Sequence, residues 1–210
     1  MAETENSKDL ISVLWSGADI LRSKMDANEY KDYLLGIVFY KYLSDSFLIK
    51  VYDLIYDEKP ESLKAALEAY KEALQDESAE ELQEQIKAEC HYVIEPELTY
   101  TCFADAARNN SFSREQLQKA FNNIEQSDPL FADLFTDIDL YSNRLGAGDQ
   151  KQSDTVASLI KEIDKADLLN SDAEILGNAY EYLIGQFASE TVKKAGDFYT
   201  PQAVSKILTR

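Results

Sequence analysis

Cysteine is scarce in this 210-residue chain: Cys90 and Cys102 are its two, and they make no disulfide framework. Proline and glycine are sparse as well, at 4 and 7 residues, and no low-complexity segment or internal repeat stands out. Histidine occurs once. His91 sits beside Cys90, but no second pair stands at zinc spacing, so a metal centre is not expected. No apolar run approaches the roughly 18–20 residues needed to cross a bilayer. The start, Met1-Ala2-Glu3-Thr4-Glu5, lacks the basic-then-apolar pattern of a signal peptide. These absences predict a cytoplasmic protein with no membrane partner. Positive charge is in short supply too: 21 Lys and Arg face 39 Asp and Glu, a formal charge of −18. Nonspecific DNA affinity comes largely from Lys and Arg displacing counterions, so a strong stand-alone DNA-binding domain is disfavoured. The carboxylates read as solvated helix faces. The sharper alternative is a non-catalytic acidic interaction module, or DNA mimic, that docks onto a basic partner.

What is present is apolar and aromatic. Hydrophobic residues make up 45% of the chain and aromatics 11%, enough for a sizeable core and too much for a disordered chain. Residues 1–6 read as a tail. From Ser7, Leu10, Ile11, Leu14, Ala18 and Leu21 recur at helical spacing. Asp26 with Glu29 matches a capping box and opens a helix expected from about Asn28 to about Asp57. Apolar groups cover much of its circumference, as in a central buried helix. Its tyrosines read as core and rim residues, with a base-stacking platform as the alternative.

Pro60 is expected to restart a helix through Leu63, Ala66, Leu67, Tyr70 and Leu74. Ser78 with Glu81 forms a second capping box. Cys90 to Ile94 is the one stretch that prefers a strand, ended by Pro96. Tyr100 to Ala107 is a short helix, and Asn109-Asn110-Ser111 a break. Ser113 with Gln116 caps a helix stopped by Asp128-Pro129. Leu130, Phe131, Leu134 and Phe135 read as an apolar knot. Asp137 and Asp139 resemble a calcium-loop start, but Ser142 and Gly148 fall where Gly and Glu are needed, so that motif fails. Gly146-Ala147-Gly148-Asp149 reads as a plain turn rather than a phosphate loop. Ser153 or Asp154 then opens a helix through Ile163, and Ser171 with Glu174 opens the next, through Phe187. The fold class is mainly α.

The stretch Gly196-Asp197-Phe198-Tyr199-Thr200-Pro201-Gln202 has the form of a loop opening a helix. Thr200 is a good N-cap, and Pro201 suits the first helical position. Two aromatic rings and a carboxylate stand just before backbone N–H groups that are free to bind something. Such a start should lead onward, so the chain is expected to be the front part of a longer protein.

Three segments together resemble the modification (M) subunit of type I restriction–modification systems, a DNA adenine-N6 methyltransferase. They are LWSGADILRSKMDANEYKDYLLGIVFYKYLSD from Leu14 to Asp45, LGNAYEYLIGQFASE from Leu176 to Glu190, and GDFYTPQAVSKIL from Gly196 to Leu208. A weaker likeness runs from Phe112 to Leu145, with LFTDIDLYSNRLG. The resemblance therefore spans almost the whole chain.

It implies a helical amino-terminal domain over residues 1–190. Residues 191–210 would then be the truncated start of a Rossmann-like, S-adenosyl-L-methionine-dependent methyltransferase domain. By position, Asp197, Phe198, Tyr199, Thr200, Pro201 and Gln202 become the cofactor-binding candidates. A capped helix start can hydrogen-bond the methionine carboxylate, and an aromatic face attracts a sulfonium. No Asn-Pro dipeptide occurs, so the family's Asn-Pro-Pro-aromatic motif is missing and no catalytic residue is expected here. The fragment alone is expected to be inactive. The implied partners are a specificity (S) subunit, a restriction (R) subunit, a second M subunit and double-stranded DNA. Arg22, Lys24 and Lys31 are the candidates for any direct DNA contact.

Overall fold

The computed structural model describes residues 2–167, together with Glu181 and Gly185, both helical. The expected helix opened by Ser171 and the cofactor loop Asp197–Gln202 otherwise lie outside the described residues. Seven α-helices make up the described part: α1 (Ala2–Arg22), α2 (Ala27–Tyr56), α3 (Leu63–Ala73), α4 (Ala79–Cys90), α5 (Tyr100–Arg108), α6 (Arg114–Ser127) and α7 (Asp149–Ile163). Short 3₁₀ turns stand at Pro96–Leu98 and Pro129–Phe131, and no strand occurs among the described residues. The mainly α expectation holds.

The organising element is α2. It opens on the Asp26–Glu29 capping box, with the Asp26 N–H donating to the Glu29 carboxylate at 3.3 Å. It closes on Asp57, which takes the left-handed conformation at φ 56°. Between these ends it packs against α1, α3, α4, α5 and α7. A helix with so many neighbours must be apolar on several sides. Tyr30, Leu34, Ile37, Tyr40, Phe47, Leu48 and Val51 are all nearly or fully buried. Each large side chain removed from water contributes about 1.5–3 kcal/mol before conformational entropy is subtracted.

Tyr33 and Tyr40 of α2, with Tyr100 of α5, belong to this interior, and their hydroxyls donate to backbone carbonyls on other segments. Tyr33 reaches the Asp139 carbonyl at 2.7 Å, Tyr40 that of Leu98 at 2.6 Å, and Tyr100 that of Ile160 at 2.9 Å. Tyr40 also meets the Phe121 ring edge-on at 5.5 Å, and Phe121 stacks on Phe135 at 4.2 Å. Rings committed to such contacts cannot stack bases.

At Gly36, α2 is closely approached by Ile138. A Cβ there would lie 2.0 Å from Ile138 Cδ1, so the Ile138 side chain fills the space an alanine would need.

Several sequence expectations need correcting. Helix α1 reaches back to Ala2, so most of the supposed tail is helical. Helix α3 starts at Leu63 rather than Pro60, because Ser62 Oγ accepts from the Ala65 N–H at 3.2 Å and sets the cap. Ser78 precedes α4 but makes no side-chain cap. Cys90 closes α4 and His91 turns left-handed at φ 64°, so the expected strand is an irregular extended segment. Its alternation is real: Tyr92 and Ile94 are buried while Glu95 is exposed. No neighbouring strand exists among the described residues, and the Val93 carbonyl accepts instead from Asn123 Nδ2 at 2.7 Å. The apolar knot splits at spacing four. Phe131 and Phe135 turn inward, whereas Leu130 is 84% and Leu134 38% exposed. Helix α7 begins at Asp149, earlier than expected, with Gly148 at φ 86° as its N-cap.

Candidate functional site

The cations singled out from sequence cluster at the α1–α2 join, where each has a neighbour. Arg22 pairs with Asp19 at 2.6 Å, and its guanidinium lies 5.4 Å from the centre of the Trp15 ring. Lys24 donates to the Leu145 carbonyl at 3.1 Å, tying the join to the loop before α7. Lys31 is half-buried beside Asp32, whose carboxyl is pushed above its usual range chiefly by burial, against the pull of Lys31. Nearby, Arg144 pairs with Glu29. The join is held by its own charges. Cys90 and His91 gather no further ligand: no group of three or more potential metal-binding side chains occurs among the described residues.

A different place carries unusual chemistry, and the sequence reading passed over it. Lys41 and Asp45 lie one turn apart on α2, both almost completely buried, with Nζ 2.6 Å from Oδ2. Lys41 Nζ also sits 5.0 Å from the centre of the Tyr100 ring. Asp45 Oδ1 has no hydrogen-bond partner. Burial drives the Asp45 carboxyl up to about 6; Lys41 opposes that rise, while Asp164 and Asp167 add to it. The pair forms one wall of a cavity of about 210 Å³, whose other walls are Leu63 and the run from Asp164 to Asp167 after α7. Two opposite charges at spacing four on a helix with apolar residues all round were the available signal. They had no solvent-facing side to occupy.

Arg114 was missed for a similar reason. It opens α6 yet is buried, donating to Gln152 and, at 2.6 Å, to Asp149 at the start of α7. Its guanidinium lies 4.5 Å from the centre of the Tyr141 ring. It acts as a clamp between two helices.

Residues 10–163 match the family model of the HsdM N-terminal domain. The chain belongs to that family. Residues 171–210 match the model of the N-6 DNA methylases. Over 99% of its length the chain is 26% identical to the type I restriction enzyme MpnII methylase subunit of Mycoplasma pneumoniae, and covers 40% of it. It is 31% identical to the MjaVIII methylase subunit of Methanocaldococcus jannaschii, over 96% of this chain and 31% of that one. The crystal structure of a type I restriction–modification methyltransferase subunit from Streptococcus thermophilus superposes with a TM-score of 0.88 at 51% identity. That match covers 97% of this chain and 43% of the other. The chain thus spans less than half the length of these relatives.

Proposed function

We propose that this chain is the amino-terminal part of a type I restriction–modification methyltransferase subunit, one that transfers a methyl group from S-adenosyl-L-methionine to adenine N6 in DNA. The observation that carries the reading is order. An HsdM N-terminal domain match is followed directly, in the same chain, by an N-6 DNA methylase match. An acidic docking module would explain the −18 charge but not the second match.

In this reading the helical domain runs to about residue 190. Asp197, Phe198, Tyr199, Thr200, Pro201 and Gln202 then form one wall of the cofactor site. The remaining walls, and the motif that holds a flipped adenine in line with the methyl group, come from sequence outside this chain. The cofactor supplies the methyl group; the protein supplies position. The assembly is cytoplasmic and contains a specificity subunit that reads DNA, a second M subunit and a restriction subunit. Because Arg22 and Lys24 already have partners at the helix join, they serve the domain's own packing more than a phosphate backbone.

The test is methyl transfer from labelled S-adenosyl-L-methionine to DNA by the full-length subunit with its specificity subunit. Absence of adenine methylation would overturn the reading. Within it, Phe198→Ala in the full-length subunit should weaken cofactor binding at least fivefold by calorimetry, the loss of about 1 kcal/mol of cation–π attraction. Unchanged binding would remove Phe198 from the site.

A further inference from the structure

The large hydrophobic side chains exposed among the described residues are Tyr56, Leu130, Leu134 and Tyr141. All but Tyr56 fall in the irregular segment between α6 and α7. A single leucine in water needs no explanation, but a concentration of them does. Tyr141 is accounted for in part, because the Arg114 guanidinium lies over its ring. Leu130 and Leu134 do not pack on the core. The turn that carries them is nevertheless firmly held. The Leu130 N–H donates to Asp128 Oδ1 at 2.9 Å, and the Phe135 N–H to Glu125 Oε1 at 2.7 Å. Phe131 meets the Tyr92 ring edge-on at 5.6 Å, and Phe135 stacks on Phe121. With these rings anchored, the leucines are presented ready-ordered, and covering them costs little entropy.

The charge around them selects what can cover them. From Ala120 to Asn143 the chain carries Glu125, Asp128, Asp133, Asp137 and Asp139, and no Lys or Arg. The cations that bracket this stretch are taken: Lys119 pairs with Glu95, and Arg144 with Glu29. Asp133 and Asp137 are exposed and form no ion pair among the described residues. The charge nearest Asp137 is another carboxyl, that of Asp32, which burial chiefly and Asp137 as well push up against Lys31. A second copy of this face would set carboxylates against carboxylates, and DNA or an anionic membrane would bring phosphates. Like charges brought together in this way disfavour all of these.

We propose that the Leu130–Leu134 turn is a docking surface for a basic protein partner, one that presents apolar side chains flanked by Lys or Arg. The leucines supply the dry centre of the contact and the carboxylates its polar rim. Attraction between the charges sets the rate of encounter and its dependence on salt. The surface uses no residue of the cofactor loop and does not rest on the methyltransferase reading.

The probe is a fluorescent amphipathic peptide of leucine and lysine at helical spacing, titrated with the 210-residue chain and followed by anisotropy. Saturable binding is expected, weakening as salt rises. Leu130→Ser with Leu134→Ser should weaken it about tenfold, with unchanged circular dichroism because neither side chain belongs to the core. Asp133→Asn with Asp137→Asn should flatten the salt dependence; Asn, like Asp, tolerates the left-handed backbone of residue 133, at φ 61°. A lysine–alanine peptide of equal charge and a leucine–glutamate peptide of equal pattern should both bind far more weakly. Equal binding by the leucine variant, or of either control peptide, overturns the proposal. So does a wild-type dimer in sedimentation that the leucine substitutions dissolve, since the occupant is then a second copy. The full-length subunit should bind the probe as this chain does. If there the leucine substitutions change nothing, the rest of the subunit covers the face and the proposal fails.

Discussion

Lys41 and Asp45 set the terms at the scale of single residues. Taking two charges out of water is expensive, and the attraction between them in the interior offsets that cost only in part. Removing one partner is worse, because the other is left buried and unpaired. Lys41→Met should therefore lower the unfolding free energy by about 3–5 kcal/mol, while Lys41→Met with Asp45→Leu recovers most of it, read from chemical denaturation. The carboxyl also predicts a pH dependence. Its folded pKa, about 6, is raised above the ordinary 3.8, so the folded state holds this proton more tightly than the unfolded chain does. Its contribution is most favourable below pH 4, is lost progressively as pH rises to about 6, and is flat above. Wild type minus Asp45→Asn, compared from pH 4 to pH 7, should show that slope; a flat difference would mean the carboxyl titrates normally. These two residues were visible in the sequence as a spacing, but a spacing does not state burial. That depends on α5 and α7 closing over α2, which is tertiary information.

Among the elements, legibility followed local chemistry. Helices α2 and α6 stand where Asp26 and Ser113 and their successors put them, and α5 stands where Tyr100 to Ala107 read as a helix, because a cap and a periodic apolar face are written in neighbouring residues. The failures lie where tertiary context decides. Tyr92 and Ile94 alternate like a strand yet have no ladder to join among the described residues. Leu130 and Leu134 are apolar yet face solvent, and their exposure has no explanation in the described contacts. The close approach of Ile138 to α2 depends on Gly36, and this can be isolated. Gly36→Ala should destabilise the protein by about 1–3 kcal/mol through overpacking. In an Ile138→Ala background the same change should be neutral or slightly stabilising, since alanine favours helix over glycine. A double-mutant cycle measures the coupling, and strictly additive effects would refute the contact.

For the molecule as a whole, the sequence conveyed class and family better than packing. Three short stretches in the right order were enough for the family, since relatives share residues that need not be understood to be matched. The cofactor candidates from Asp197 to Gln202 rest on that likeness alone. Because α2 is shared by five other helices, the domain should unfold as one unit. Trp15, the sole tryptophan, packs on α1 against the common core, so its fluorescence and the far-ultraviolet circular dichroism should give one coincident denaturation transition. Separate midpoints would show that α1 comes away first.

Helix α1 packs on α7 as well as on α2, and α7 ends at Ile163. On the ribosome, the hairpin of α1 and α2 is therefore complete long before its covering helix has been made. At about 5–20 residues per second, the interval between α2 and the end of α7 lasts roughly 5–20 seconds. Throughout that time the face that α1 turns to α7 lacks its native cover. Holding chaperones are expected to bind the nascent chain until α7 emerges, and ribosome-stalled chains ending before and after α7 would show the difference.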